Sequence, residues 1–134
     1  MNSDFYYSDL RSWLLAKNQN RLLEETTDHY LVGSIFKNLF VHPKMVLKVN
    51  KAHYFVEEID FYDKNSDLPK RRMKSLKVIE QDGILLATHL QMITFQDNSQ
   101  SVKSSSEIIL ETWDMQTELE STLFSQANLK NLNF

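Results

Sequence analysis

Ile84-Leu85-Leu86-Ala87-Thr88-His89-Leu90-Gln91-Met92-Ile93-Thr94-Phe95, then Gln96-Asp97-Asn98-Ser99-Gln100, then Val102 to Asp114, is the stretch that sets the fold class. The first run is almost continuously apolar, interrupted mainly by Thr88, His89 and Gln91. A strand this apolar is covered on both faces or bends across a strongly curved sheet. The polar run after it reads as a turn. Side chains alternate along a strand. The next strand therefore puts Ser104, Ser106, Ile108, Leu110 and Thr112 on one face, and Ser105, Glu107, Ile109, Glu111 and Trp113 on the other.

Upstream, Gln81-Asp82-Gly83 reads as a hairpin turn in which Gly supplies a positive φ angle. It joins the long apolar strand to one over about Arg72–Glu80. Asp63-Lys64-Asn65-Ser66-Asp67-Leu68-Pro69 is a loop by composition. From Met45, the residues Leu47, Val49, His53, Phe55, Ile59 and Phe61 tend to alternate with polar neighbours. That pattern predicts strands, two of them if the chain breaks near Asn50-Lys51.

The N-terminal third reads as helical. Ser3 is a plausible N-cap. Tyr6, Leu10, Trp13, Leu14 and Lys17 follow at helical spacing up to Asn18-Gln19-Asn20. A short second helix over Arg21 to Thr26 would turn Leu22 and Leu23 inward. Over residues 28–41, Leu31, Ile35 and Leu39 form one row, and Val32, Phe36 and Phe40 a second beside it. The preferred reading is a helix capped by Asp28 and ended by His42-Pro43. The rival is a strand through His29–Ile35, favoured by Tyr, Val and Ile. Gln116 to Lys130 is a C-terminal helix or a frayed tail, docked by Leu119, Leu123 and Phe124. Helices followed by long antiparallel strands predict an α+β domain over residues 1–134, with the helices on one face of a bent sheet.

Composition agrees with a globular domain. The chain has 134 residues, 42% hydrophobic and 25% charged, with a net charge of −3. That charge does not suit a nucleic-acid binder. The absence of cysteine removes disulfides, thiolate metal sites and thiol nucleophiles. The opening Met1-Asn2-Ser3-Asp4-Phe5-Tyr6-Tyr7 lacks the basic start and apolar core of a signal peptide. No apolar run approaches the roughly 20 residues needed to span a bilayer. The expectation is a cytoplasmic protein with no nucleic-acid or membrane partner.

The order of elements resembles the nuclear transport factor two-like superfamily, which includes polyketide-cyclase-like and ketosteroid-isomerase-like proteins. The resembling stretches are Asp4–Leu31, which looks like the opening helices, and Val78–Asp114. In the latter, Lys77 to Ala87 looks like a strand, acidic-Gly turn, strand step, and Ser106 to Asp114 looks like the closing strand. The resemblance implies a cone-shaped α+β barrel, with N-terminal helices packed in a strongly curved, mainly antiparallel sheet, a pocket at its wide end and a homodimer through the outer sheet face. It does not imply one reaction, because such folds host many.

Candidate chemistry centres on His89, a polar residue in the most apolar strand. An imidazole there is either hydrogen-bonded in the interior or faces a cavity, where it can act as a general base. Glu107 and Glu111 share one strand face and can orient it, if the two strands pair. The ordinary readings are a satisfied core or interface histidine and a solvated acidic face. Trp13, Tyr30, Tyr54 and Trp113 are the candidate ligand-lining aromatics, and Asp60 is a further carboxylate for isomerase-like chemistry. The histidines His29, His42, His53 and His89 show no metal-ligand spacing, and Gly33 and Gly83 form no phosphate loop. No cofactor is expected. Lys70-Arg71-Arg72, Lys74 and Lys77 make one basic cluster, whose ordinary reading is a solvated loop and edge strand. The leading expectation is a pocket that takes a small apolar molecule, with isomerase- or cyclase-like chemistry or none. The rival is a protein-interaction module, adaptor or chaperone-like, using the outer sheet face.

Overall fold

The structure, a computed structural model, describes residues 3–6, 19–35 and 43–112. Seven strands follow one another: β1 (Gln19–Glu25), β2 (His29–Ile35), β3 (Lys44–Asn50), β4 (Val56–Tyr62), β5 (Arg71–Gln81), β6 (Ile84–Phe95) and β7 (Val102–Ile109). They form one antiparallel sheet in the order β1-β2-β3-β4-β5-β6-β7, open at both ends.

Turn chemistry sets much of the register. Gln81 pairs with Ile84, so the β5–β6 connection is the two residues Asp82 and Gly83. Their φ angles are 53° and 78°, the left-handed values a type I′ turn requires at both positions. Between β6 and β7, Asn98 also sits at φ 53°, which Asn tolerates better than most residues. The Gln96 N–H donates to Ser101 O at 2.8 Å and closes that turn.

Pairing brings side chains into rows across the sheet. One row runs Ser34, Met45, Phe61, Arg71, Thr94, Ser104; its neighbour runs Val32, Leu47, Ile59, Met73, Met92, Ser106. These lie on one face, which holds the core: Met45, Leu47, Ile59, Phe61 and Met92 are buried, with Phe5, Val32, Val49, Val56 and Met73 packed against them. Each such buried side chain contributes roughly 1.5–3 kcal/mol. The opposite face carries Leu31, Lys48, Glu58, Lys74, Gln91 and Glu107 in one row, and Gly33, Val46, Asp60, Arg72, Ile93 and Ser105 in the next. Its charges answer one another. Arg72 donates to both oxygens of Asp60, at 2.6 and 2.7 Å, and lies 3.3 Å from Glu58, which Lys74 approaches at 3.7 Å.

The expected α+β cone is corrected to an open all-β sheet: no helix occurs among the described residues. The helix expected at Arg21–Thr26 is β1, and the helix expected at 28–41 is β2 over His29–Ile35, the strand rival. Spacing misleads here for a simple reason. Residues four apart share a helix face, but four is even, so they also share a strand face. Gly33, a poor helix former, and the β-branched and aromatic neighbours tip the balance. Ser3–Tyr6 contains no helix; residues 7–18, 36–42 and the expected C-terminal helix lie outside the described residues. The break near Asn50-Lys51 is present, but His53 and Phe55 stand in the turn that follows and not in a strand. β6 spans its expected stretch, whereas β7 stops at Ile109, short of Asp114.

Candidate functional site

The apolar face is framed on one side by a polar clasp. Thr94, Ser104 and Ser106 project from β6 and β7 on the same face as Met92. Their hydroxyls converge on the Asp4 carboxylate. Thr94 donates to Oδ1 at 2.7 Å, Ser104 also donates to Oδ1, and Ser106 donates to Oδ2 at 2.7 Å. The Arg71 guanidinium adds a bond from Nη1 to the Asp4 carbonyl at 3.0 Å. Arg71 is only 2% exposed. It lies against the Tyr6 ring at 4.0 Å and the Phe61 ring at 4.8 Å, a cation–π arrangement that lowers the cost of burying the charge. Burial pushes the Asp4 carboxyl up; the bonds from Ser104, Ser106 and Thr94 and the Arg71 charge outweigh it and hold the carboxyl below its usual value. Next in the chain, Phe5 packs on the core cluster. The segment thus sets a carboxylate on the hydroxyls and an aromatic ring on the methionines.

A second polar cluster occupies one end of the sheet. His29 and Asn50 pair across β2 and β3, and both reach Glu57 of β4: His29 Nε2 lies 2.7 Å from Oε2, and Asn50 Nδ2 donates to Oε1 at 2.9 Å. The Asn50 bond, set against burial and joined by His29, lowers the Glu57 carboxyl. Asn50 Oδ1 also accepts from the N–H groups of Ala52 and His53, so the residue shapes the turn. A groove of about 380 Å³ opens beside it, lined by His53, Phe55, Glu57 and Val78 among others. Another groove, of about 530 Å³, lies near the β1–β3 end, where Leu23 rests on Gly33. A Cβ at Gly33 would stand 3.2 Å from the Leu23 methyls, so the bare backbone is what lets the bulged strand lie close.

The sequence-derived residues fall in several places. His89 and Glu107 do meet, with Nε2 2.7 Å from Oε2, as a diagonal pair between β6 and β7. They stand on the charged face, however, with side chains 27% and 44% exposed. Gln91 bonds Glu107 from beside them at 3.4 Å. Glu111 lies exposed beyond the end of β7. Tyr30 is half-buried, with the Lys51 ammonium 4.8 Å from its ring centre. Tyr54 is 74% exposed in the β3–β4 turn at φ 52°. Trp13 and Trp113 lie outside the described residues. Asp60 is tied to Arg72 on the charged face. Among the described residues, no group of three or more His, Cys, Asp or Glu side chains is placed to hold a metal ion.

Sequence reading missed Asp4, Arg71 and Thr94 and gave no role to Ser104 and Ser106. The alternation of Ser104, Ser106 and Ile108 on one face was the available signal. Their partner lies about a hundred positions away and carries no local mark.

Two solved structures share this fold. One is a domain from Vibrio parahaemolyticus provisionally described as an outer membrane lipoprotein-sorting protein, with TM-score 0.70 and 22% identity, matched over 97% of this chain and 55% of that one. The other is a DUF1329 family protein from Desulfovibrio piger, with TM-score 0.72 and 19% identity, matched over 96% of this chain and 54% of that one. The chain therefore spans about half the length of the structures it resembles. The resemblance to the nuclear transport factor two-like superfamily is overturned, because these neighbours and the open seven-stranded sheet, with no helix among the described residues, belong to a different architecture. The acidic-Gly turn that suggested it serves any tight hairpin. No curated protein matches the chain. Over residues 1–131 the chain matches the model of a family described in the words "Uncharacterized protein", and it belongs to that family.

Proposed function

We propose that this domain binds a lipid-like molecule and holds its apolar chain on the methionine-lined face of the sheet, acting as a carrier or binding module without catalysis. The observation that carries this reading is the sidedness of the sheet. Met45, Leu47, Ile59, Phe61, Met73 and Met92 are contiguous on one face, while charged and polar rows occupy the other. All of these side chains but the half-buried Met73 are buried, and methionine is unbranched and polarizable and repacks readily, which suits an interior that must rearrange around a flexible chain. The Vibrio neighbour, by its description, sorts lipoproteins, and lipoproteins carry acyl chains. Acid–base chemistry at His89 has less support, because the imidazole faces solvent beside paired charges and not an apolar cavity. An adaptor role for the outer face also has less support, since Arg72, Lys74, Glu58 and Asp60 satisfy one another there.

Displacement of a fluorescent acyl probe tests the reading. The wild-type protein should bind the probe saturably, and native mass spectrometry of gently purified protein should show co-purified lipid. Met73 packs at the margin of the core and is only half-buried. A folded Met73→Glu protein should lose the probe. Retention of full affinity by that variant, with an unchanged circular dichroism spectrum, removes the apolar face as the binding site.

A further inference from the structure

We propose that the groove at the β1–β3 end of the sheet is a second binding site, for a small organic anion with a flat apolar body, an aromatic carboxylate being the simplest example. The side chains that form it project from the face opposite the methionine cluster, so the site stands apart from the proposed acyl-chain surface and does not depend on it.

Strand pairing gives the groove its shape. Arg21, Gly33 and Val46 form one cross-strand row, and Ile35, Lys44 and Tyr62 form the next. Gly33 has no side chain, so backbone floors the groove between these rows. Leu23, the extra residue of the β1 bulge, lies against that bare backbone. A peptide floor with apolar side chains around it accepts a flat ring. Leu23 and Ile35 are 53% and 50% exposed, so a ligand that covers them removes apolar surface from water. The volume, about 530 Å³, falls within the roughly 300–1,000 Å³ of small-molecule sites.

Charge selects an anion. Farther along the same face, Arg72 and Lys74 are matched by Asp60 and Glu58. At the groove the cations are not matched. Arg21 is exposed and has no hydrogen bond or ion pair among the described residues. The Lys44 ammonium lies 4.5 Å from the Tyr62 ring centre and donates to the Ser66 carbonyl at 3.3 Å, with no carboxylate partner among the described residues. Asp67 also lines the groove, so two cations face one exposed carboxylate. An excess of positive charge beside low-dielectric walls draws an anion and disfavours a cation of the same shape.

The test titrates the full chain with 2-naphthoate and with 2-naphthamide, its neutral counterpart, and follows backbone amides by nitrogen–proton correlation spectra. 2-Naphthoate should shift the Gly33, Ile35 and Val46 amides saturably and bind more tightly than the amide, on the order of fivefold. Arg21→Gln should remove most of that difference. Ile35→Glu sets a carboxylate in the groove at an exposed position; it should weaken 2-naphthoate on the order of tenfold while the fluorescent acyl probe binds as in wild type. Equal affinity for the two compounds, saturable shifts that leave Gly33 and Ile35 unmoved, or no binding at all overturns the site. The acyl-chain reading is tested separately: if Met73→Glu keeps the acyl probe, that reading fails and the groove stands.

Discussion

Asp4 and Ser106 are joined twice: the Asp4 N–H donates to Ser106 Oγ at 3.0 Å, and the Ser106 hydroxyl donates back to Asp4 Oδ2 at 2.7 Å. This reciprocal pair fastens the N-terminal segment to the last strand of the sheet. It is a tertiary contact made through a carboxylate, so its strength depends on protonation.

Acid should therefore weaken the fold in a defined window. The Asp4 carboxyl lies below its usual 3.8 and the Glu57 carboxyl below its usual 4.5 in the folded protein. A folded value below the unfolded one means stability that is fully present above the unfolded value and lost as pH falls through the folded one. Denaturant midpoints should hold from neutral pH to about 5 and drop below about 4. Asp4→Asn should start lower at neutral pH and show a shallower acid loss. A parallel pH profile for wild type and Asp4→Asn would contradict the clasp.

Core and buried hydroxyl should respond oppositely to alanine. Met92 is 0% exposed in the middle of the apolar cluster, and Met92→Ala should cost about 2–5 kcal/mol. Ser34 is equally buried, yet its hydroxyl has no partner among the described residues. Ser34→Ala removes an unsatisfied group and should be neutral or stabilising, by up to about 1 kcal/mol. Urea unfolding of the two variants reads both. Marked destabilisation by Ser34→Ala would mean that its hydroxyl is satisfied in solution.

Gly83 carries a conformational demand and not a packing one. A Cβ there would meet no atom within 4 Å, but φ is +78°. Gly83→Ala should cost roughly 1 kcal/mol through backbone strain alone, with Gly83→Asn milder because Asn tolerates left-handed angles. Thermal unfolding of the pair should rank glycine first, asparagine second and alanine last.

Much of the sheet was legible, and the misses have one cause. The hairpin at Asp82-Gly83 and the apolar run of β6 carry local signals, a required φ and a strand-length stretch of β formers, and both stand where expected. β1 and β2 read as helices because the Leu31/Ile35 spacing fits either period and the local signal for strand is weak; pairing of β1 with β2 and of β2 with β3 completes the distinction. The same non-locality hid the clasp. Ser104 and Ser106 carry no role in the sequence because nothing near them calls for hydroxyls, and Asp4 reads as part of a helix start. His89 and Glu107 were correctly brought together, since strand alternation and a short turn suffice for that. Which face they occupy depends on the whole sheet.

That pair gives the last prediction. His89 and Glu107 are neighbours on the charged face, partly solvated, and their contact is an exposed ion pair at most. Such pairs contribute under about 1 kcal/mol. His89→Gln should therefore leave stability within that margin. It should also leave acyl-probe affinity unchanged, because the imidazole projects away from the methionine face. Loss of probe binding in a stably folded His89→Gln protein would move the binding site to the opposite side of the sheet, and with it the case for His89 as a functional base.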